Sequence, residues 1–214
     1  MHSDAPPDDQ LLGRIATGDA DAFTALFRRR QGDVYRFALH MTASPAIADD
    51  VTQETFLAVM RDACRFEPGR ATVTAWLCGI ARNHVRRRLE RDRPLQSLDL
   101  GTDDPDMDAR LATDDDPLGD LTRAERLEAL RDAVLTLPLR YREAVVLCDL
   151  QELSYADAAT AIGCAVGTVR SRLHRGRALL TRKLTTPSEK EKPQQSASGV
   201  NQALRIVRSA RNLA

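Results

Sequence analysis

Apolar residues recur at helical spacing along most of this chain, and no stretch shows the every-other-residue alternation of a strand. Between Asp19 and Leu39, the residues Phe23, Leu26, Phe27, Val34, Phe37 and Ala38 share a face behind an acidic opening, as a helix start requires. Ser44-Pro45 marks a second start, a capping hydroxyl followed by a proline that loses nothing in the first turn. That helix is predicted to reach about Arg65, before Phe66-Glu67-Pro68-Gly69 breaks it. A third runs from about Thr74 to Arg91, opens with Trp76, Leu77, Ile80 and Ala81, and is stopped by Pro94. Leu121 to Leu137 predicts an amphipathic helix ended by Pro138, and Tyr141 to Leu150 a short apolar one. Tyr155 to Ile162 and Thr168 to Leu184 predict two more, joined by Gly163-Cys164-Ala165-Val166-Gly167. The fold class is therefore all-α, with two small helical domains at 1–95 and 121–184. An acidic flexible linker, 96–120, joins them. A polar tail, 185–214, follows and reads as disordered, with Leu204, Val207 and Leu213 offering one weak face for a short terminal helix.

Composition narrows the classes. A 43% hydrophobic content over 214 residues suffices for packed cores and excludes global disorder. The uncharged run from Ala71 to Ala81 contains Thr and Gly and is too short to cross a bilayer. The first ten residues carry Asp and Pro where a secretory signal needs a basic start and an apolar core, so a cytoplasmic protein without membrane insertion is expected. Cys64, Cys78, Cys148 and Cys164 form no CxxC pair and read as thiols in a reducing compartment.

The formal net charge is zero, but the charge is not evenly spread. Residues 81–93 carry a net +4, residues 97–120 a net −8, and residues 165–183 a net +6 with no acid at all. The acidic run invites a calcium-loop reading, which fails. Counting from Asp104, Ala109 stands where the sharp turn needs Gly, and Asp115 where a bidentate Glu belongs. No Gly-rich phosphate loop, nucleophile–base pair or metal-spaced His/Cys set is present, so neither enzyme nor cofactor is expected.

The last two predicted helices and their tight Gly turn form a helix-turn-helix. On the second helix Val169, Leu173, Gly176 and Leu180 make a narrow stripe for burial. Arg170, Ser171, His174 and Arg175 lie opposite, with donors suited to base edges in a major groove. Arg172, Arg177, Arg182 and Lys183 lie nearer the flanks, where phosphate contacts are expected. The helix from Ser44 is apolar on two sides, with Ile47, Val51 and Ala58 on one and Phe56, Val59, Met60 and Ala63 on the other. It is either sandwiched inside its domain or shares a face with a partner, with Asp50, Gln53 and Glu54 at the rim. The stretch from Phe66 to Arg93 sets Trp76, Asn83 and His84 beside the Arg cluster, a combination suited to stacking on and pairing with single-stranded bases. Taken alone, Trp76 reads as core and His84 as surface. These features also fit a dimeric helix-turn-helix regulator on palindromic sites, or an interaction protein that never touches DNA.

In this order and spacing, Asp50-Val-Thr-Gln-Glu-Thr-Phe56, Trp76-Leu-Cys-Gly-Ile-Ala-Arg-Asn83, Leu137-Pro138 with Arg142-Glu143, and Gly167-Thr-Val-Arg-Ser-Arg-Leu-His-Arg175 resemble the extracytoplasmic-function (ECF) sigma factors of bacterial RNA polymerase. The resemblance covers about Asp19 to Lys183. It implies a region 2 helical bundle that binds core polymerase through Asp50, Gln53, Glu54 and Phe56. It implies that the same bundle holds unpaired −10 bases through Phe66, Trp76, Asn83, Arg82, Arg86 and Arg87. It further implies a region 4 helix-turn-helix that reads the −35 element through Arg170, Ser171, Arg172, His174, Arg175 and Arg177. Core RNA polymerase, promoter DNA and an anti-sigma factor are the partners it implies.

Overall fold

The computed structural model describes residues 6–91 and 122–185; the acidic linker and the tail with its expected terminal helix lie outside them. All regular structure among the described residues is helical. The first group comprises α1 (Asp8–Ile15), α2 (Ala20–Thr42), α3 (Pro45–Asp62), which ends in a 3-10 turn at Ala63–Arg65, and α4 (Val73–Arg91). The second comprises α5 (Arg123–Leu135), α6 (Leu139–Val145), a π-helical turn at Val146–Leu150, α7 (Tyr155–Ile162) and α8 (Val166–Thr185).

Local chemistry accounts for most of these boundaries. The Asp19 carboxylate accepts from the Ala22 amide to open α2. Ser44 does the same for Ile47, with Pro45 in the first turn of α3. At α5, Thr122 and Glu125 form a reciprocal capping box. Gly163 closes α7 with φ 75°, a left-handed conformation that would strain a residue bearing a Cβ. The apolar helix expected to start at Tyr141 starts at Leu139, on Pro138, and its second half is wound as the π turn.

Helix α1 was not expected. Its eight residues carry only Leu11, Leu12 and Ile15 as a buried face, and Gly13 lowers its helical propensity. Docking fixes it, because the buried Asp8 carboxylate accepts from Arg29 (2.6 Å) and Arg30 (2.5 Å) of α2. Asp33, one turn further along α2, pairs with Arg30 (3.2 Å) and Arg36 (2.6 Å).

The two groups of helices do not stand apart. Helix α4 packs on α7, α2 touches α5 and the π turn, and buried apolar residues run continuously from Leu11 to Leu180. No described helix is long and apolar enough to cross a membrane. The four cysteines form no disulfide; Cys64 is exposed and Cys78 and Cys148 are buried.

Near the end of α2, His40 borders a cavity of about 260 Å³ shared with α5. Burial, reinforced by Arg131 and Arg36, pushes its pKa down to about 4. The unfolded ring titrates near ~6.5, so on acidification the unfolded chain takes up the proton first. The contribution of the neutral ring is therefore complete above about pH 6.5. It is lost as pH falls towards about 4, by up to ~3 kcal/mol. Urea unfolding of His40→Gln should show a flatter acid limb than the parent; an identical limb would assign the slope to other groups.

Candidate nucleic-acid interface

Helix α8 is held by one face only. Val169, Leu173 and Leu180 are buried, and Gly176 lets the helix lie directly on α6. A Cβ at Gly176 would stand 2.8 Å from Val145 Cγ2 and 3.3 Å from the Tyr141 carbonyl oxygen. Replacing Gly176 with Ala gains roughly 1 kcal/mol of helix propensity but overpacks the contact by about 1–3 kcal/mol. We expect a lower melting temperature for Gly176→Ala and recovery when Val145→Ala is added. Failure of that rescue would place the obstacle at the Tyr141 backbone.

The opposite arc of α8 is open. Arg170, Ser171 and His174 are exposed and Arg175 is half-exposed, in the arrangement expected from the sequence. The Arg170 guanidinium lies 5.7 Å from the centre of the exposed Tyr155 ring on α7, which orients it without using its donors. Ser154 caps α7 by accepting from the Asp157 amide at 3.0 Å. Arg172 is half-buried.

Arg177, expected at a phosphate, is paired within the chain. Its Nε and Nη2 donate to the two carboxylate oxygens of Asp149 at 3.0 and 2.6 Å, and Asp149 is 1% exposed. The guanidinium neutralises a buried acid on the π turn while its own side chain stays 43% exposed.

On α3 the two-faced pattern is real, but its members differ from those expected. Phe56 is 2% exposed and packs edge-on against Phe27 (4.9 Å) and Phe23 (6.2 Å) of α2, so it belongs to the core and offers no surface contact. Val59 and Ala63 are buried too. The residues left outward are Leu57 and Met60, at 55% and 57% exposure, with Asp50 and Gln53 beside them. Sequence reasoning missed Leu57 and grouped Met60 with Phe56, Val59 and Ala63 on one side; packing against α2 and α4 fixes the rotation of the helix. Arg88 of α4 bridges Asp50 (2.9 Å) and Glu54 (3.0 Å). His84 Nδ1 donates to Glu54 at 2.8 Å, and burial holds the ring's pKa below its usual value despite Glu54, so it is neutral at neutral pH.

The third set divides. Phe66, which opens the loop before α4, and Trp76 in the first turn of α4 pack edge-on at 5.6 Å, both half-buried. Asn83 and Arg87 are exposed on α4. Arg82, expected at the −10 bases, donates to both Glu143 oxygens at 2.7 and 3.2 Å, and its side chain is 12% exposed. Arg86 lies 3.8 Å from the same carboxylate.

Residues 26–94 match the family model for Sigma-70 region 2, and residues 127–180 match that for Sigma-70, region 4. The chain is 35% identical over 178 residues to the ECF RNA polymerase sigma factor SigE of Mycolicibacterium smegmatis, covering 80% of this chain and 67% of that protein. It is likewise 35% identical over 178 residues to the ECF RNA polymerase sigma factor SigM of Mycobacterium tuberculosis, covering 83% of this chain and 84% of that one. Among solved structures, CnrH in complex with the cytosolic domain of CnrY is similar with a TM-score of 0.63 and 27% identity, over 85% of this chain and 99% of CnrH. The sigma factor RpoE in complex with the anti-sigma factor NepR from Bartonella quintana is similar at 0.58 and 25%, over 79% and 100%.

Proposed function

This chain belongs to the extracytoplasmic-function sigma factors of the sigma-70 family, and from that premise we propose how its surfaces direct RNA polymerase to promoters. The observation that carries the reading is the acid-free outer arc of α8, exposed at Arg170, Ser171 and His174 while the opposite stripe is buried. Laid in a major groove, Arg170 and Arg175 pair with guanine edges of the −35 element, each good bidentate contact being worth roughly 1–3 kcal/mol of discrimination. Leu57, Met60, Gln53 and Asp50 on α3 form the docking face for core polymerase. Asn83 and Arg87 of α4, with the Phe66–Trp76 corner, receive unpaired bases of the −10 element. An unstacked base costs a few kcal/mol, and stacking on an aromatic ring returns roughly 1–3 kcal/mol per base.

No covalent step belongs to this mechanism; the protein acts by binding, in the cytoplasm where the polymerase is. An anti-sigma partner regulates it, in keeping with the anti-sigma factor NepR bound to the structurally similar RpoE. We take domain limits of 1–95 and 121–184, which enclose the matched residues 26–94 and 127–180, with the acidic spacer between them.

The test is run-off transcription with purified core polymerase on a promoter library. Start sites that depend on the added chain, and that are lost with Arg170→Ala plus Arg175→Ala, support the reading. If no start depends on it when any anti-sigma protein is absent, the reading fails.

A further inference from the structure

Of the large apolar side chains that stay exposed among the described residues, Leu57 and Met60 serve the docking face, whereas Tyr155, at 40% exposure, stands on the helix-turn-helix but outside its recognition helix. It occupies the first position of α7, and the backbone there is held on both sides. Ahead of it, the Leu153 amide donates to the Leu147 carbonyl oxygen at 3.0 Å, which ties the segment to the π turn. Behind it, the Ser154 hydroxyl accepts from the Asp157 amide and donates to the Asp157 carboxylate at 2.8 Å. The ring therefore projects from anchored backbone.

On α8, Arg170 and Arg177 are seven residues apart, two turns, so they project from the same side of the helix. Tyr155 stands beside this row. The Arg170 guanidinium lies over its ring, and Arg177 is within electrostatic reach of its phenol. Arg177 is itself clamped by both oxygens of the buried Asp149. Arg170 is thus the outermost member of a row whose other members are all held in place. It makes no hydrogen bond or ion pair among the described residues. A ring face attracts the cation while leaving its N–H groups, which lie in the guanidinium plane, free for an acceptor. A long arginine side chain in open solvent must give up many rotamers when it binds a base edge. A ring beneath it removes part of that loss beforehand.

We propose that Tyr155 is a positioning residue for the −35 element: its ring holds Arg170 ready for the groove, so a residue outside the recognition helix sets how sharply one base pair is discriminated. The inference rests on the −35 reading proposed above. A direct contact from the phenol hydroxyl to phosphate is the competing role. It would be blind to sequence, whereas positioning acts only where Arg170 reads.

The test measures start-site strength with the full chain bound to core polymerase, on promoters that differ only at single −35 base pairs. Arg170→Ala identifies the pair at which discrimination falls. Tyr155→Leu should lower discrimination at that same pair by about three- to tenfold, leave the other pairs as they were, and keep the parental melting temperature. Tyr155→Phe and Tyr155→Trp should both retain parental discrimination, because each still offers a ring face. In the Arg170→Ala background, Tyr155→Leu should add nothing, as expected of a residue that acts through another. Additive losses, or a loss equal at every pair and shared by Tyr155→Phe, overturn the proposal and place the hydroxyl on a phosphate instead. Parental discrimination in Tyr155→Leu, with Arg170→Ala still defective, overturns it while leaving the −35 reading intact. If Arg170→Ala alters no base pair, the −35 reading fails and this inference falls with it.

Discussion

A chain carrying Leu57→Asp and Met60→Asp is expected to unfold like the parent and to bind core polymerase about 1,000-fold more weakly. Both side chains are more than half exposed, so their replacement removes no core packing, and surface changes of this kind usually stay within about 0.5 kcal/mol. At the centre of an interface the same two residues each carry about 2 kcal/mol, and together that is roughly three decades of affinity. Phe56→Ala is expected to behave in the opposite way. It empties the ring cluster with Phe23 and Phe27 and destabilises region 2 by about 3–5 kcal/mol. Its direct loss of polymerase affinity should be small when assayed well below the melting temperature. Calorimetry and a binding titration on the same preparations separate the two. Parental affinity in the Leu57/Met60 variant would remove α3 as the docking face.

The second large effect is expected at Arg177. Arg177→Met leaves the Asp149 carboxylate buried without its main counter-charge, a loss of about 1–3 kcal/mol, since the acid is buried while the arginine is 43% exposed. Adding Asp149→Leu should recover most of that stability, because an apolar pair avoids desolvating either charge. A residue that touched phosphate would behave differently, weakening DNA binding across sequences and lowering the salt slope by about one. For Arg177→Met we expect an unchanged slope in the folded fraction. A reduced slope with unchanged melting would return Arg177 to the DNA.

Where the sequence was informative, the deciding physics was local. Caps at Asp19 and Ser44, the break after Arg65, and the Gly163 turn each act within a few residues, so helix starts and stops followed from neighbours in the chain. The buried stripe of α8 was legible for the same reason. A helix with an acid-free cationic face and four apolar or small positions in register has only one way to pack. Helix α1 was not legible, because eight residues cannot hold a helix alone and its stability comes from Arg29 and Arg30 on another element.

The candidate sites divide along the same line. The order of apolar, acidic and basic residues established an all-α chain with a helix-turn-helix and a two-faced third helix, because helical periodicity is written residue by residue. Which face of α3 meets solvent, and which arginines are free, depended on partners far along the chain. Arg82 finds Glu143 across 61 positions and Arg177 finds Asp149 across 28. Charge can be counted in a string of residues. Whether it is neutralised depends on distance and burial, and only the packed helices supply those.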